Sequence, residues 1–285
     1  ETEKVARVMG GAPVIKSAGR LYPVETRWLE RPWARPGSGP RFEEAAAGLV
    51  ARAISETQGD LLVFLPGAGE IRRVATILAR EAPEVALAPL YGALPFAEQR
   101  AALRPDAQSR RRVVLATAIA ETSLTIEDIR VVIDGGKARR ARFDPSSGMA
   151  RLVTEPVSRA EAEQRRGRAG RVAEGICYRL WTKGAEGALP AFAPPEIEVA
   201  DLTGLALELA VWGSDGEDLA FLTPPPAHAM AEARALLEEL GALRAAIVSG
   251  GAKTNWDAGA LALARGAMAD LRDHFDRRLA PLADR

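Results

Sequence analysis

An α/β fold is predicted for this 285-residue chain: a parallel sheet with helices on both faces, followed by a small helical unit. Three features predict it. Short runs that are apolar throughout alternate with segments of helical periodicity, the pattern of strands buried on both faces. The runs end at Pro66-Gly67, Tyr91-Gly92, Thr117 and Asp134-Gly135-Gly136, as strands do where they enter loops. Beyond Pro195 the charge turns acidic and the apolar spacing is helical only.

Residues 1–40 read as an irregular lead-in and linker. Leu21-Tyr22-Pro23-Val24-Glu25 is extended, and Pro32, Pro36, Gly37, Gly39 and Pro40 break up the stretch after it. Residues 41–190 hold the sheet. Phe42, Ala46, Leu49, Val50 and Ile54 recur at helical spacing, and Leu61–Leu65 is a buried strand. Ile71, Val74, Ile77 and Leu78 mark the next helix. Val85–Leu90 is a strand, Pro95–Leu103 a helix, Val113–Ala116 a strand, Ala120 the centre of a helical turn, and Val131–Ile133 a strand. Ligands of such sheets sit beyond the carboxyl ends of the strands, so Pro66-Gly67, Tyr91-Gly92, Thr117 and Asp134 are expected along one edge. Arg139–Thr154 reads as a β-hairpin turning at Asp144-Pro145-Ser146-Ser147-Gly148, with Lys137, Arg139, Arg140, Arg142 and Arg151 making it basic. Such an arm is either solvated or in contact with nucleic acid. Cys177 lies in a further apolar strand, Ile176–Trp181.

Residues 195–245 carry two helical faces. Leu202, Leu205, Ala206 and Leu209 come after a cap at Asp201; Ala229, Ala233, Leu236, Leu237 and Leu240 end at Gly241. Residues 246–285 read as a helical tail of unassigned role.

A composition of 47% hydrophobic and 27% charged residues excludes a disordered or fibrous chain. No apolar run reaches about eighteen residues, and Glu1-Thr2-Glu3-Lys4 does not open a secretory signal, so a cytosolic protein without a membrane span is expected. One cysteine excludes an internal disulfide, and with two histidines no metal site is expected. The net charge of zero hides an asymmetry. Arg104–Arg171 holds 15 basic against 9 acidic residues, whereas Gly184–Leu240 holds 11 acidic and one basic. A basic half of this kind suits a polyanion. Because 33 of the 38 basic residues are arginine, only arginines at meaningful spacing carry information.

Ser158-Arg159-Ala160-Glu161 is a capping box that starts a helix. Within it lies Gln164-Arg165-Arg166-Gly167-Arg168-Ala169-Gly170-Arg171. At helical spacing Gln164, Arg168 and Arg171 share one stripe, while Arg165 and Arg166 point elsewhere. Gly167 and Gly170 each weaken a helix by about 1 kcal/mol, a cost that a close approach of backbone or ligand would offset. Two guanidiniums and an amide on one face suit phosphate oxygens.

Here the chain resembles a family. Gln164–Arg171 matches motif VI of superfamily 2 helicases, and Val113–Ile126 looks like motif V of the DEAH-box branch. Phe64-Leu65-Pro66-Gly67-Ala68-Gly69-Glu70-Ile71 and Leu90-Tyr91-Gly92-Ala93-Leu94-Pro95 are similar to the motif IV region and its successor. With Ala141-Arg142-Phe143-Asp144-Pro145, they point to the bacterial HrpB-type ATP-dependent RNA helicases. The resemblance runs from about Ala12 to about Leu243. It implies that this chain is the second of two RecA-like domains that sandwich ATP, followed by a winged-helix-like domain. Arg168 and Arg171 would be arginine fingers and Gln164 would orient the attacking water, with Thr125, Glu127 and Gly167 at the nucleotide. Thr117, Thr122, Gly92, Arg140 and Arg142 would contact RNA, expected single-stranded. ATP and Mg2+ would be held mostly by the first domain, which would be a partner of this chain alongside the RNA. The sequence departs from the pattern at Ala118, where Asn is common, and at Glu127, where Asp is frequent. It contains neither G-x-x-x-x-G-K-[ST] nor Asp-Glu-x-His, so the chain alone is expected not to hydrolyse ATP. A non-catalytic RNA-binding module would use the same basic edge.

Overall fold

A computed structural model of the protein describes residues 2–15, 22–33, 40–122, 126–144, 148–217 and 219–242. Its elements are α1 (Thr2–Val8), β1 (Val24–Leu29), α2 (Phe42–Glu56), β2 (Asp60–Phe64), α3 (Ala68–Glu81), β3 (Ala86–Leu90), α4 (Phe96–Leu103), β4 (Arg112–Ala116) and α5 (Ile119–Thr122). Next come β5 (Ile129–Asp134), β6 (Lys137–Asp144), β7 (Met149–Pro156), α6 (Arg159–Gly167), a 3-10 turn (Arg168–Gly170), β8 (Gly175–Thr182) and α7 (Lys183–Glu186). A second 3-10 turn (Glu196–Glu198), α8 (Thr203–Trp212) and α9 (Ala227–Glu239) complete the order. The described residues of Ser17–Ala141 and Leu152–Ala193 form one compact unit, and those of Glu1–Lys16, Arg142–Arg151 and Pro194–Arg285 a second.

The first unit is built on a six-stranded sheet of order β1-β8-β5-β2-β4-β3, parallel throughout. Side chains of a strand alternate between faces. Leu61, Val63, Val113, Leu115, Val131 and Ile133 therefore pack with α2 and α3. Leu62, Phe64, Val114, Ala116, Val132 and Cys177 fill the opposite face with Ala120 and Ala169. Both faces are covered, which is why these strands are apolar at every position. Phe64 is in register with Ala116 and with Asp134, and Leu90 with Ala116. The loops after these residues accordingly leave from one edge of the sheet.

β1 overturns the reading of residues 1–40 as an irregular lead-in. It pairs in parallel with β8 and forms an edge of the sheet, which thus begins before residue 41. Glu25 and Arg27 alternate with Val24, Thr26 and Trp28, a mixture suited to an edge and unlike the buried strands. Thr2–Val8 is helical as well, with no buried residue. At the opposite edge β3 carries Pro89, which has no N–H to offer an incoming strand.

The capping box of α6 forms as its sequence requires. Ser158 Oγ accepts from Glu161 N at 3.2 Å, and Glu161 Oε2 accepts from Ser158 N at 2.7 Å. Burial pushes the Glu161 carboxyl up, but the Ser158 bonds and Arg140 outweigh it and hold its pKa below the ordinary 4.5. A lowered carboxylate contributes stability that is complete above 4.5 and is lost as pH falls through the lower folded-state value. Ser158→Ala is expected to cost about 1 kcal/mol. The measurement is the urea midpoint at pH 7, with a smaller deficit in acid; an unchanged midpoint at pH 7 would mean that the cap contributes nothing.

In the second unit α8 and α9 pack through Leu202, Ala206, Leu207, Leu209, Met230, Ala233 and Leu237. Asp201 Oδ1 accepts from Thr203 N at 2.9 Å and from Thr203 Oγ1 at 2.6 Å, but the cap position expected at Asp201 falls to Leu202, which offers no side-chain cap bond, so Asp201 braces the turn just before the helix. Gly241 comes after α9 with φ 70°, the left-handed stop expected of it. Met230 takes an inner position, whereas Leu240 is exposed. The hairpin expected between Arg139 and Thr154 is β6–β7, and within this unit Phe143 N donates to Val199 O at 3.1 Å. The expected tail, 246–285, lies outside the described residues. No helix among the described residues is long and apolar enough to cross a membrane.

Candidate functional site

Asp134 ends β5 with a fully buried side chain. Its Oδ1 accepts from Arg165 Nη1 at 2.7 Å and from Gly136 N at 2.9 Å. Arg165, on α6, is only 1% exposed. Its Nε and Nη2 reach Glu121 Oε1 on α5 at 2.7 and 2.5 Å, and its guanidinium lies 4.9 Å from the Phe64 ring centroid. Burial works against the Arg165 charge, but Asp134 and Glu121 outweigh it and raise the pKa. One buried cation thus ties the end of β5, the turn after β4 and the arginine-rich helix together. Buried charges persist only when paired in this way.

Arg168 begins the 3-10 turn at 4% exposure, and its Nε donates to Glu121 O at 3.0 Å. Burial, and then the charge of Arg171, lower its pKa to about 10. A phosphate group placed against it would oppose both effects. Gln164 and Arg171 are exposed. The expected stripe of Gln164, Arg168 and Arg171 is therefore divided. The α-helix stops at Gly167, and the tighter turn after it places Arg168 among the buried residues beside Arg165. Arg165, expected to point away from the site, is its buried anchor. The sequence does hold a signal for this. Ala162, Arg165 and Ala169 form the inner stripe, and a carboxylate ending an apolar strand requires a cation.

The two glycines differ. A Cβ at Gly170 would lie 2.6 Å from Tyr22 O, so a close backbone approach does account for this residue. At Gly167, which is half-buried, a Cβ would meet nothing within 4 Å.

Thr117 comes directly after β4 and is half-buried; its N donates to Leu90 O at 3.2 Å, joining the ends of β3 and β4. Gly92 is exposed in the loop after β3, and its carbonyl accepts from Gln99 Nε2 at 3.3 Å. Glu127 has an exposed side chain, while its carbonyl accepts from Arg112 Nη2 at 2.9 Å. Arg140 donates to Glu161 and lies 4.0 Å from Glu155, so its charge is engaged within the unit. Arg142 is half-buried and belongs to the second unit. Thr125 and the side chain of Thr122 lie outside the described residues. Of the sequence candidates, Thr117, Gly92 and Arg168 come to the carboxyl edge of the sheet. Asp134, expected at that edge, is joined there by Glu121 and Arg165, which the motif spacing does not mark as site residues. Among the described residues no group of three or more His, Cys, Asp or Glu side chains could hold a metal ion.

Residues 45–173 match the family model described as the helicase conserved C-terminal domain. This segment is a helicase C-terminal domain. Over 245 residues the chain is 46% identical to the ATP-dependent RNA helicase HrpB of Escherichia coli, covering 85% of this chain and 30% of that protein. It is 37% identical over 252 residues to the pre-mRNA-splicing factor ATP-dependent RNA helicase prp22 of Schizosaccharomyces pombe, covering 85% of this chain and 21% of that one. The crystal structure of Escherichia coli DEAH/RHA helicase HrpB matches with a TM-score of 0.79 at 45% identity, again over 85% of this chain and 30% of the other. The chain therefore spans about 30% or less of the length of these relatives. The six-stranded parallel sheet is the RecA-like arrangement of such a domain. The matched segment takes in β2 to β5, α6 and the 3-10 turn, while β1 and β8 lie outside it and complete its sheet.

Proposed function

We propose that the chain is the C-terminal motor half of an ATP-dependent RNA helicase. It completes an ATP site whose phosphate cradle and Mg2+ ligands lie on a first RecA-like domain, and it holds single-stranded RNA along the carboxyl edge of its own sheet. The observation that carries this reading is the buried Arg165 bridge. It positions Arg168 at the sheet edge on the same segment, Thr117–Glu121, that would hold RNA. In the transition state of phosphoryl transfer negative charge is spread over the phosphoryl oxygens, and permanently charged, preorganised guanidiniums stabilise it. Arg168 and the exposed Arg171 are suited to that task, and Gln164, one turn earlier, to orienting the water. Gly167, Thr125 and Glu127 are assigned to the nucleotide. Thr117, Thr122 and Gly92 offer hydroxyl and backbone donors to RNA phosphates, contacts that position a strand without reading its sequence. Arg140 and Arg142 are assigned to RNA as well, and α8 with α9 would belong to a winged-helix-like domain.

The test is ATP hydrolysis with and without single-stranded RNA, by the complete polypeptide and by the 285-residue chain. RNA should accelerate turnover by the complete polypeptide, and the chain alone should show none. Turnover indifferent to RNA, or hydrolysis by the chain alone, would overturn the proposal. RNA binding without hydrolysis by the complete polypeptide would make it a binding module.

A further inference from the structure

α4 opens with an aromatic side chain that the fold leaves outside. Phe96 is 71% exposed, the most exposed aromatic among the described residues, ahead of Phe192 at 67% and Trp212 at 66%. One turn along the helix, Arg100 holds its guanidinium 5.0 Å from the ring centroid and so backs one face of the ring. The turn that presents Phe96 is braced. Gln99 Nε2 donates to Gly92 O at 3.3 Å and to Leu94 O at 2.8 Å, and Leu94 N donates to Tyr91 O at 3.1 Å. That turn leaves β3 at Leu90, whose carbonyl accepts from Thr117 N. The exposed ring thus stands on the same sheet edge as Gly92 and Thr117, with little ordering left to be done on binding.

We propose that Phe96 is a stacking platform for one base of a single-stranded nucleic acid. The base lies on the ring face opposite Arg100 while the phosphates pass Gly92 and Thr117. An aromatic face accepts any base, and a cation behind it strengthens the contact, so the platform adds affinity without sequence choice. This rests on the RNA reading of the sheet edge, and the experiment separates the two.

The 285-residue chain and its F96A, F96L and F96Y variants are titrated by fluorescence anisotropy with a short single-stranded RNA and with the same backbone made abasic at its central positions. F96A and F96L should bind the base-bearing strand about tenfold more weakly than wild type, F96Y should bind it normally, and the abasic strand should bind all four proteins alike. Equal binding of the base-bearing strand by wild type and F96A would overturn the platform and leave the RNA reading standing. An equal loss on both strands would overturn it too, in favour of a structural role. If wild type binds neither strand, the RNA reading itself fails, and the platform with it.

Discussion

Replacing Arg168 by alanine in the complete polypeptide is expected to lower ATP turnover by about 10³- to 10⁵-fold while nucleotide affinity changes little. The group lost would act on the arrangement of charge reached in the transition state more than on that of bound ATP, so the effect falls on kcat. The same position should tolerate substitution as far as folding is concerned. Burial and the neighbouring charge of Arg171 bring its pKa down to about 10, so the charged form is disfavoured where it sits. A cation whose folded-state pKa lies below its unfolded value opposes folding while it stays charged, and removing the charge relieves that cost. Arg168→Met in the 285-residue chain should therefore melt at or above the wild-type temperature. Near-normal kcat would reject the finger role. A marked fall in melting temperature would make Arg168 a structural residue instead. Stability given up at one position for the sake of chemistry is a common feature of functional sites.

Arg165→Ala should behave in the opposite way, with a loss of about 3–5 kcal/mol in folding stability. Asp134 is wholly buried, and without Arg165 its carboxylate would keep only the Gly136 N–H and the surrounding apolar strands. Glu121 would lose its ion pair as well. Urea unfolding of the chain measures the effect. Adding Asp134→Asn to Arg165→Ala should recover part of the loss, because a neutral amide is cheaper to bury than an unpaired charge. A single-mutant loss below about 1 kcal/mol would place the bridge in the range of solvated ion pairs and remove it as the anchor of the site. Turnover would fall with this variant too, but through displacement of Arg168. The stability of the isolated chain is therefore what separates the two arginines: replacing an anchor lowers it, and replacing a finger does not.

How legible each part is in the sequence depends on the range of the forces involved. Leu61–Leu65, Val113–Ala116 and Val131–Ile133 declare themselves because a strand covered on both faces must be apolar at every position. Their carboxyl ends are legible as well, because the apolar runs stop there. β1 does not, since its Glu25 and Arg27 are chemically at home in a loop, and only β8, about 150 residues later, gives Val24–Leu29 a partner. The arginine-rich segment is half legible. Its start at Ser158 rests on contacts three residues apart, and the capping box forms as its spacing predicts. Helical spacing carried through to Arg171 misplaces its far end, because the chain tightens after Gly167 and moves Arg168 inside.

The amino-acid sequence alone determined the alternation of strand and helix, the capped start of α6 and the shared edge of the strand ends, because each depends on spacing within a few residues. Only the tertiary structure decided which arginine is buried and bridged. The carboxylates that make burial of Arg165 tolerable stand 31 and 44 residues away along the chain, and local periodicity contains no information about partners at that distance.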